Sequence, residues 1–136
     1  MCVGAGYSYL GESFQVYFSN PKATLPVRTR SGGCSLLPWG RRKIQRGALP
    51  FGCCARLDSI YAGRWDKWFP VPVKICVQRF MEQDMEGRTR WFELPKGKWI
   101  QGLVAHERHE QRLYVVVVEP QLSDALYERW PRIFCS

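Results

Sequence analysis

Two adjacent residues at the start of the chain, Met1 and Cys2, offer the most distinctive chemistry in the sequence. Removal of an initiator methionine would leave a free N-terminal cysteine, with an α-amine of ordinary pKa about 7.7–8.0 beside a thiol of about 8.5. Near neutral pH both are partly nucleophilic. Such a pair captures an aldehyde twice: the amine forms a Schiff base, the thiolate adds to the imine carbon, and a thiazolidine ring closes. A cysteine at position two is, on that feature alone, more often an ordinary small buried residue, so its role rests on what the remaining residues build around it.

A second candidate is the run Trp39-Gly40-Arg41-Arg42-Lys43-Ile44-Gln45-Arg46. It has no helical apolar periodicity and reads as a loop. Four cations behind a tryptophan suit either a solvated face or a grip on nucleic-acid phosphate with a base stacked on the ring. A third set, His106 and His109 with some of Cys34, Cys53 and Cys54, would make a thiol or metal protein. Adjacent Cys53-Cys54 fits the usual two-to-four-residue spacing of metal-binding cysteines poorly, and a His-x-x-His on a polar turn is more often a solvated loop. The residues imply no metal and no cofactor.

Composition narrows the choice. The chain has 136 residues, 46% apolar and 14% aromatic, enough for one domain with a real core and too apolar for disorder. No stretch approaches the ~18 apolar residues of a membrane span, and residues 1–20 lack the charged start and apolar centre of a signal peptide. The expectation is an intracellular, cytoplasmic protein without a membrane partner, its six scattered cysteines reduced. A net charge of +8 makes a polyanion the first partner to test.

The elements that would position these residues are mainly strands. Residues 7–18 read as a strand or short irregular packing segment, and residues 25–30 and 34–39 as a hairpin around Ser31-Gly32-Gly33. Trp65, Trp68 and Phe69 suit one face of a short helix ended by Pro70 and Pro72. Residues 73–77 form a strand that continues through 79–82, with a turn around Gly87. Residues 91–94 and 99–105 make a hairpin across Pro95-Lys96-Gly97-Lys98, and 106–111 a polar connection. Residues 113–118, apolar on consecutive positions, read as a strand buried on both faces. Pro120 starts a helix with Leu122, Ala125 and Leu126 inward, and residues 132–134 close the chain as a strand. The result is α+β, mainly β: a single domain over 1–136 of antiparallel strands with two short helices.

Several separated motifs together carry a family resemblance. Met1-Cys2, Trp39-Gly40, Cys54-Ala55-Arg56-Leu57-Asp58-Ser59-Ile60, the strand Ile75-Cys76-Val77 leading to Phe80-Met81-Glu82, and Tyr127-Glu128-Arg129-Trp130-Pro131 resemble, in that order, motifs of the SOS response-associated peptidase (SRAP) family. The resemblance implies a DNA-damage response protein. It would bind single-stranded DNA and crosslink through Cys2 to the ring-opened aldehyde of an abasic site. Glu82 would be the general acid and base, Tyr127 a further catalytic group, and Arg56 a phosphate contact. Trp39, Arg41, Arg42, Lys43, Arg46, Cys54 and Arg129 complete the expected DNA-binding set. The family name also implies a peptidase, acting on the protein's own leader; no Ser-His-Asp arrangement suggests a general protease.

The departures have chemical meaning. Val3-Gly4 stands where the family has Gly-Arg, which removes one phosphate contact. Cys54 replaces an asparagine, exchanging a two-way amide for a weak thiol donor and acceptor. Tyr127 replaces a histidine, and a phenol of pKa near 10 is a poor base at neutral pH. The alternative expectation is therefore a noncatalytic single-stranded nucleic-acid binder with the same fold.

Overall fold

A computed structural model of the chain describes residues 1–120 and 126–135. In chain order the strands are β1 (Cys2–Tyr9), β2 (Glu12–Tyr17), β3 (Thr24–Arg28), β4 (Cys34–Pro38), β5 (Cys54–Arg56), β6 (Val71–Ile75), β7 (Arg79–Gln83), β8 (Thr89–Glu93), β9 (Lys98–Glu107), β10 (Glu110–Val118), β11 (Trp130–Pro131) and β12 (Ile133–Cys135). A five-residue helix α1 (Leu57–Tyr61) and a 3-10 turn (Asp66–Trp68) are the helical pieces among the described residues. The mainly β, antiparallel architecture matches the sequence expectation.

Two sheets share one core. The first has the order β2-β1-β7-β8, and the second β11-β10-β9-β6-β3-β4, with β12 on β9 and the short β5 parallel to β10. Ala5, Tyr7 and Phe80 of the first sheet meet Leu25, Val27, Ile75, Ile100, Val115 and Val117 of the second in one apolar cluster. The opposite face of the second sheet carries Leu103, Ala105, Tyr114 and Val116, which α1 and the 3-10 turn cover with Leu57, Ile60, Trp65 and Trp68. Burial on both faces explains why β10 is apolar at consecutive positions.

The 3–4 hairpin forms as expected. Residues 7–18 resolve into the hairpin of β1 and β2, turning at Leu10 and Gly11, both at positive φ. Two expectations are corrected. Strand 73–77 does not continue into 79–82: Cys76 N donates to Pro26 O in the second sheet, whereas Gln78 N donates to Gly6 O in the first, so the chain changes sheet within three residues. Likewise 91–94 and 99–105 are not a hairpin. β8 pairs with β7, β9 pairs with β10, and the Pro95–Gly97 segment is a crossing between sheets. A Pro/Gly turn serves either purpose, so its residues alone do not distinguish the two. The polar connection at 106–111 is the end of the β9–β10 ladder, with Glu107 opposite Glu110. The expected helix from Pro120 falls mostly outside the described residues, and Leu126 is exposed rather than inward. No described helix is long and apolar enough to cross a membrane.

Candidate functional site around Cys2 and Glu82

The alternation of β1 places Ala5 and Tyr7 toward the core and Gly4 and Gly6 away from it, which by itself would send Cys2 outward. A break in register prevents this. Gly4 lies opposite Met81 but Cys2 lies opposite Glu82, so two steps along β1 match one along β7, a bulge at Val3. Cys2 is thereby turned inward beside Glu82, and both are buried, at 1% and 0% exposure.

Glu82 sits in an enclosure that disfavours charge. Neither of its oxygens has an aligned hydrogen-bond donor among the described residues. Its counter-charge is the α-ammonium of Met1, 2.6 Å from Oε2. Burial pushes the carboxyl up to about 7, with the ammonium pulling the other way. The group is thus divided between acid and base near neutral pH, the condition a general acid–base needs. Burial also raises the Cys2 thiol well above its ordinary value, helped by the neighbouring Glu82 and Cys53.

β5 supplies the next wall. Trp39, fully buried, donates its indole N–H to the Cys53 carbonyl at 3.0 Å and fixes the entry into β5. The Cys54 thiol points to the Cys2 carbonyl at 3.8 Å and lies 2.9 Å from the Cys53 sulfur, so three thiols gather next to the carboxyl. Arg56 follows Cys54 by two residues and therefore lies on the same face of β5, about 7 Å further along. Its guanidinium pairs with Asp58 at 2.9 Å. Arg56 and Arg129 line one hollow of about 250 Å³ together with Asp58, Tyr61 and Glu119.

Some expected site residues are placed otherwise. Trp39 presents no face to a base because its ring is enclosed, with Phe18 against its edge. Arg41 is buried and donates to the carbonyls of Leu49 and Gln45. Arg42 donates to the carbonyls of Phe18 and Trp39 and lies over the Phe18 ring. These two arginines satisfy backbone acceptors in a loop without a ladder, so the expected phosphate grip is reduced to the exposed Lys43 and Arg46. Tyr127 is buried and held by its ring against Phe92 and Trp130, part of the aromatic cluster that also contains Phe80. His106 contacts the carbonyl of Phe69, and no group of three metal-ligating side chains occurs among the described residues.

The ion pair of Met1 with Glu82, the Cys53 thiol, and Asp58 and Tyr61 at the hollow are features sequence reasoning did not assign to the site. The bulge behind them had one faint signal, a cysteine out of phase with Ala5 and Tyr7. Compared with protein-family models, curated proteins and solved structures, the chain matches none.

Proposed function

We propose that this protein binds single-stranded DNA and, once Met1 is removed, captures the aldehyde of an abasic site with Cys2, in the manner of the SRAP proteins its motifs resemble. The observation that carries the reading is the bulge that turns Cys2 inward against the buried Glu82. Without Met1, the Cys2 amine becomes the chain's α-amine, on the residue that lies opposite Glu82 in the ladder. The amine attacks the aldehyde carbon, and the carbinolamine hydroxyl leaves as water on taking a proton from Glu82. The resulting carboxylate then receives the thiol proton as sulfur adds to the imine carbon. The sum is aldehyde plus aminothiol to thiazolidine plus water, with Glu82 returned to its starting state. Loss of Met1 also removes a side chain that packs on the cluster enclosing Cys2. Arg56 and Arg129 line a hollow that also carries Asp58 and Glu119, so a flanking phosphate there would compete with Asp58 for Arg56.

The test is a chain verified to begin at Cys2, incubated with a single-stranded oligonucleotide carrying one abasic site and resolved on a denaturing gel. A shifted band is expected, absent with Cys2→Ala and slower to form with Glu82→Gln. A second reading, noncatalytic binding, is favoured by the strongly raised Cys2 thiol and by the Met1 ammonium that occupies Glu82. It predicts salt-sensitive DNA binding that Cys2→Ala leaves unchanged, with no covalent product.

A further inference from the structure

The second sheet has an outer face that α1 covers only in part. Beyond that cover, β6, β9 and β12 present Lys74, Trp99, Gln101 and Phe134, with Arg28 at the end of β3 beside them. Two hollows of about 640 and 630 Å³ adjoin here, with Arg28, Lys74 and Trp99 lining both. Their charged lining is six cations, Arg28, Arg30, Lys74, Arg79, Lys96 and Lys98, against one acid, Glu93. Elsewhere three arginines are ion-paired: Arg56 with Asp58, Arg88 with Asp84 and Glu86, Arg112 with Glu110. None of the six has a carboxylate within ion-pair distance among the described residues; Arg79, on β7 of the first sheet, lies over Trp91 and donates to Gln15, which leaves five for this face.

At the centre is an aromatic pair. The Trp99 and Phe134 rings stack at 4.9 Å and 24°. Lys74 lies over the Trp99 ring at 4.8 Å and Arg132 over the Phe134 ring at 4.6 Å. The Trp99 indole nitrogen is buried and donates to no acceptor among the described residues. Both cations are half-buried, and Arg132 also donates to Gln101 Oε1 at 2.8 Å, so Lys74 is the one less firmly held. A base stacking on an aromatic ring is worth as much as or more than one cation–π contact, and a base on Trp99 would move Lys74 aside toward the incoming phosphate.

We propose that this outer sheet face, centred on Lys74, Trp99 and Phe134, is a second binding surface for single-stranded nucleic acid, taking bases on the aromatic pair and phosphates on the surrounding lysines and arginines. It is distinct from the Cys2 site, which faces the sheet interior, and it stands without the crosslinking chemistry. Charge complementarity selects a polyanion. The paired rings select one that carries bases.

The experiment uses the Cys2→Ala chain and an undamaged fluorescent oligothymidylate, read by anisotropy across a salt series, with heparin as a polyanion lacking bases. Trp99→Ala is expected to weaken oligothymidylate binding about tenfold, as for one lost base stack, while heparin affinity changes little. Lys96→Glu combined with Lys98→Glu, both exposed, should weaken both ligands and flatten the salt dependence. Arg56→Ala, at the other site, should leave the effect of Trp99→Ala intact. Unchanged oligothymidylate affinity in Lys74→Ala and in the doubly charge-reversed chain, each with native circular dichroism, would overturn the proposal. So would equal losses for heparin and oligothymidylate in Trp99→Ala, which would make the face a plain polyanion patch.

Discussion

Glu82 is a carboxyl group enclosed with thiols and apolar side chains, and its titration bears on stability and, in the proposed reaction, on proton transfer. Its folded-state pKa is raised from 4.5 to about 7, so the fold favours the protonated form. The associated stabilisation is fully present below the unfolded value and is lost as pH rises through about 7. Glu82→Gln abolishes this ionisation. In the chain that retains Met1, the stability difference between Glu82→Gln and the parent should grow in favour of glutamine from about pH 5 to about pH 8, by up to about 3 kcal/mol at roughly 1.4 kcal/mol per pKa unit. Thermal melts across that range measure it; a difference that stays flat would show that Glu82 does not titrate there. Arg41 makes the opposite kind of case, a charge whose partners are backbone carbonyls. Arg41→Met should cost about 2–3 kcal/mol in urea unfolding by leaving buried acceptors unpaired, with DNA affinity of the folded protein unchanged. An affinity loss at unaltered stability would return Arg41 to the DNA-binding set.

At the scale of elements, turns and crossings decide where the site residues fall. The β1–β2 turn is a two-residue loop with φ of 50° at Leu10 and 81° at Gly11, a type I′ turn, and Leu10 is 87% exposed. Leucine is a poor occupant of the left-handed region, whereas Asn-Gly is the favoured pair for this turn. Leu10→Asn should stabilise by about 0.5–1 kcal/mol, read as a higher melting temperature. Gly40 sits where β4 gives way to the basic loop, at φ 56°, and a Cβ there would lie 2.2 Å from the Gly52 carbonyl oxygen. Because that neighbour is backbone, Gly40→Ala should destabilise by more than about 2 kcal/mol and loosen the Trp39 anchor of β5. Retained stability would mean the two loop segments separate easily.

These elements also show what could be read beforehand. The apolar run of β10 and the 3–4 hairpin were legible because burial on both faces and a Gly-Gly turn leave local marks. Glu82 and Arg56 were singled out by motif, and the structure puts Glu82 opposite Cys2 and Arg56 beside Arg129. The crossings at 76–78 and 95–97 were not legible, since sheet membership is set by partners far away in sequence. Trp39 was misjudged for a related reason: a tryptophan ahead of arginines has the same local sequence whether its ring is exposed or enclosed. The aromatic face at Trp99 and Phe134 joins residues 35 apart in the chain and had no local signature.

For the molecule as a whole, a net charge of +8 is spread unevenly. Some cations are consumed internally, as with Arg41 and Arg42, some are paired at the surface, and several of the rest line the two hollows beside Lys74 and Trp99. DNA affinity should therefore fall steeply with salt, but with a slope reporting fewer phosphate contacts than the number of basic residues suggests. A slope near the full cation count would contradict this division. Covalent capture of the aldehyde by Cys2 can be read out by intact mass spectrometry. The chain beginning at Cys2, mixed with an abasic single-stranded oligonucleotide, should give a product equal in mass to protein plus oligonucleotide minus one water, lost with Cys2→Ala. No adduct from that chain, or an adduct that persists in Cys2→Ala, would contradict the assignment of Cys2 and Glu82 as the reacting pair.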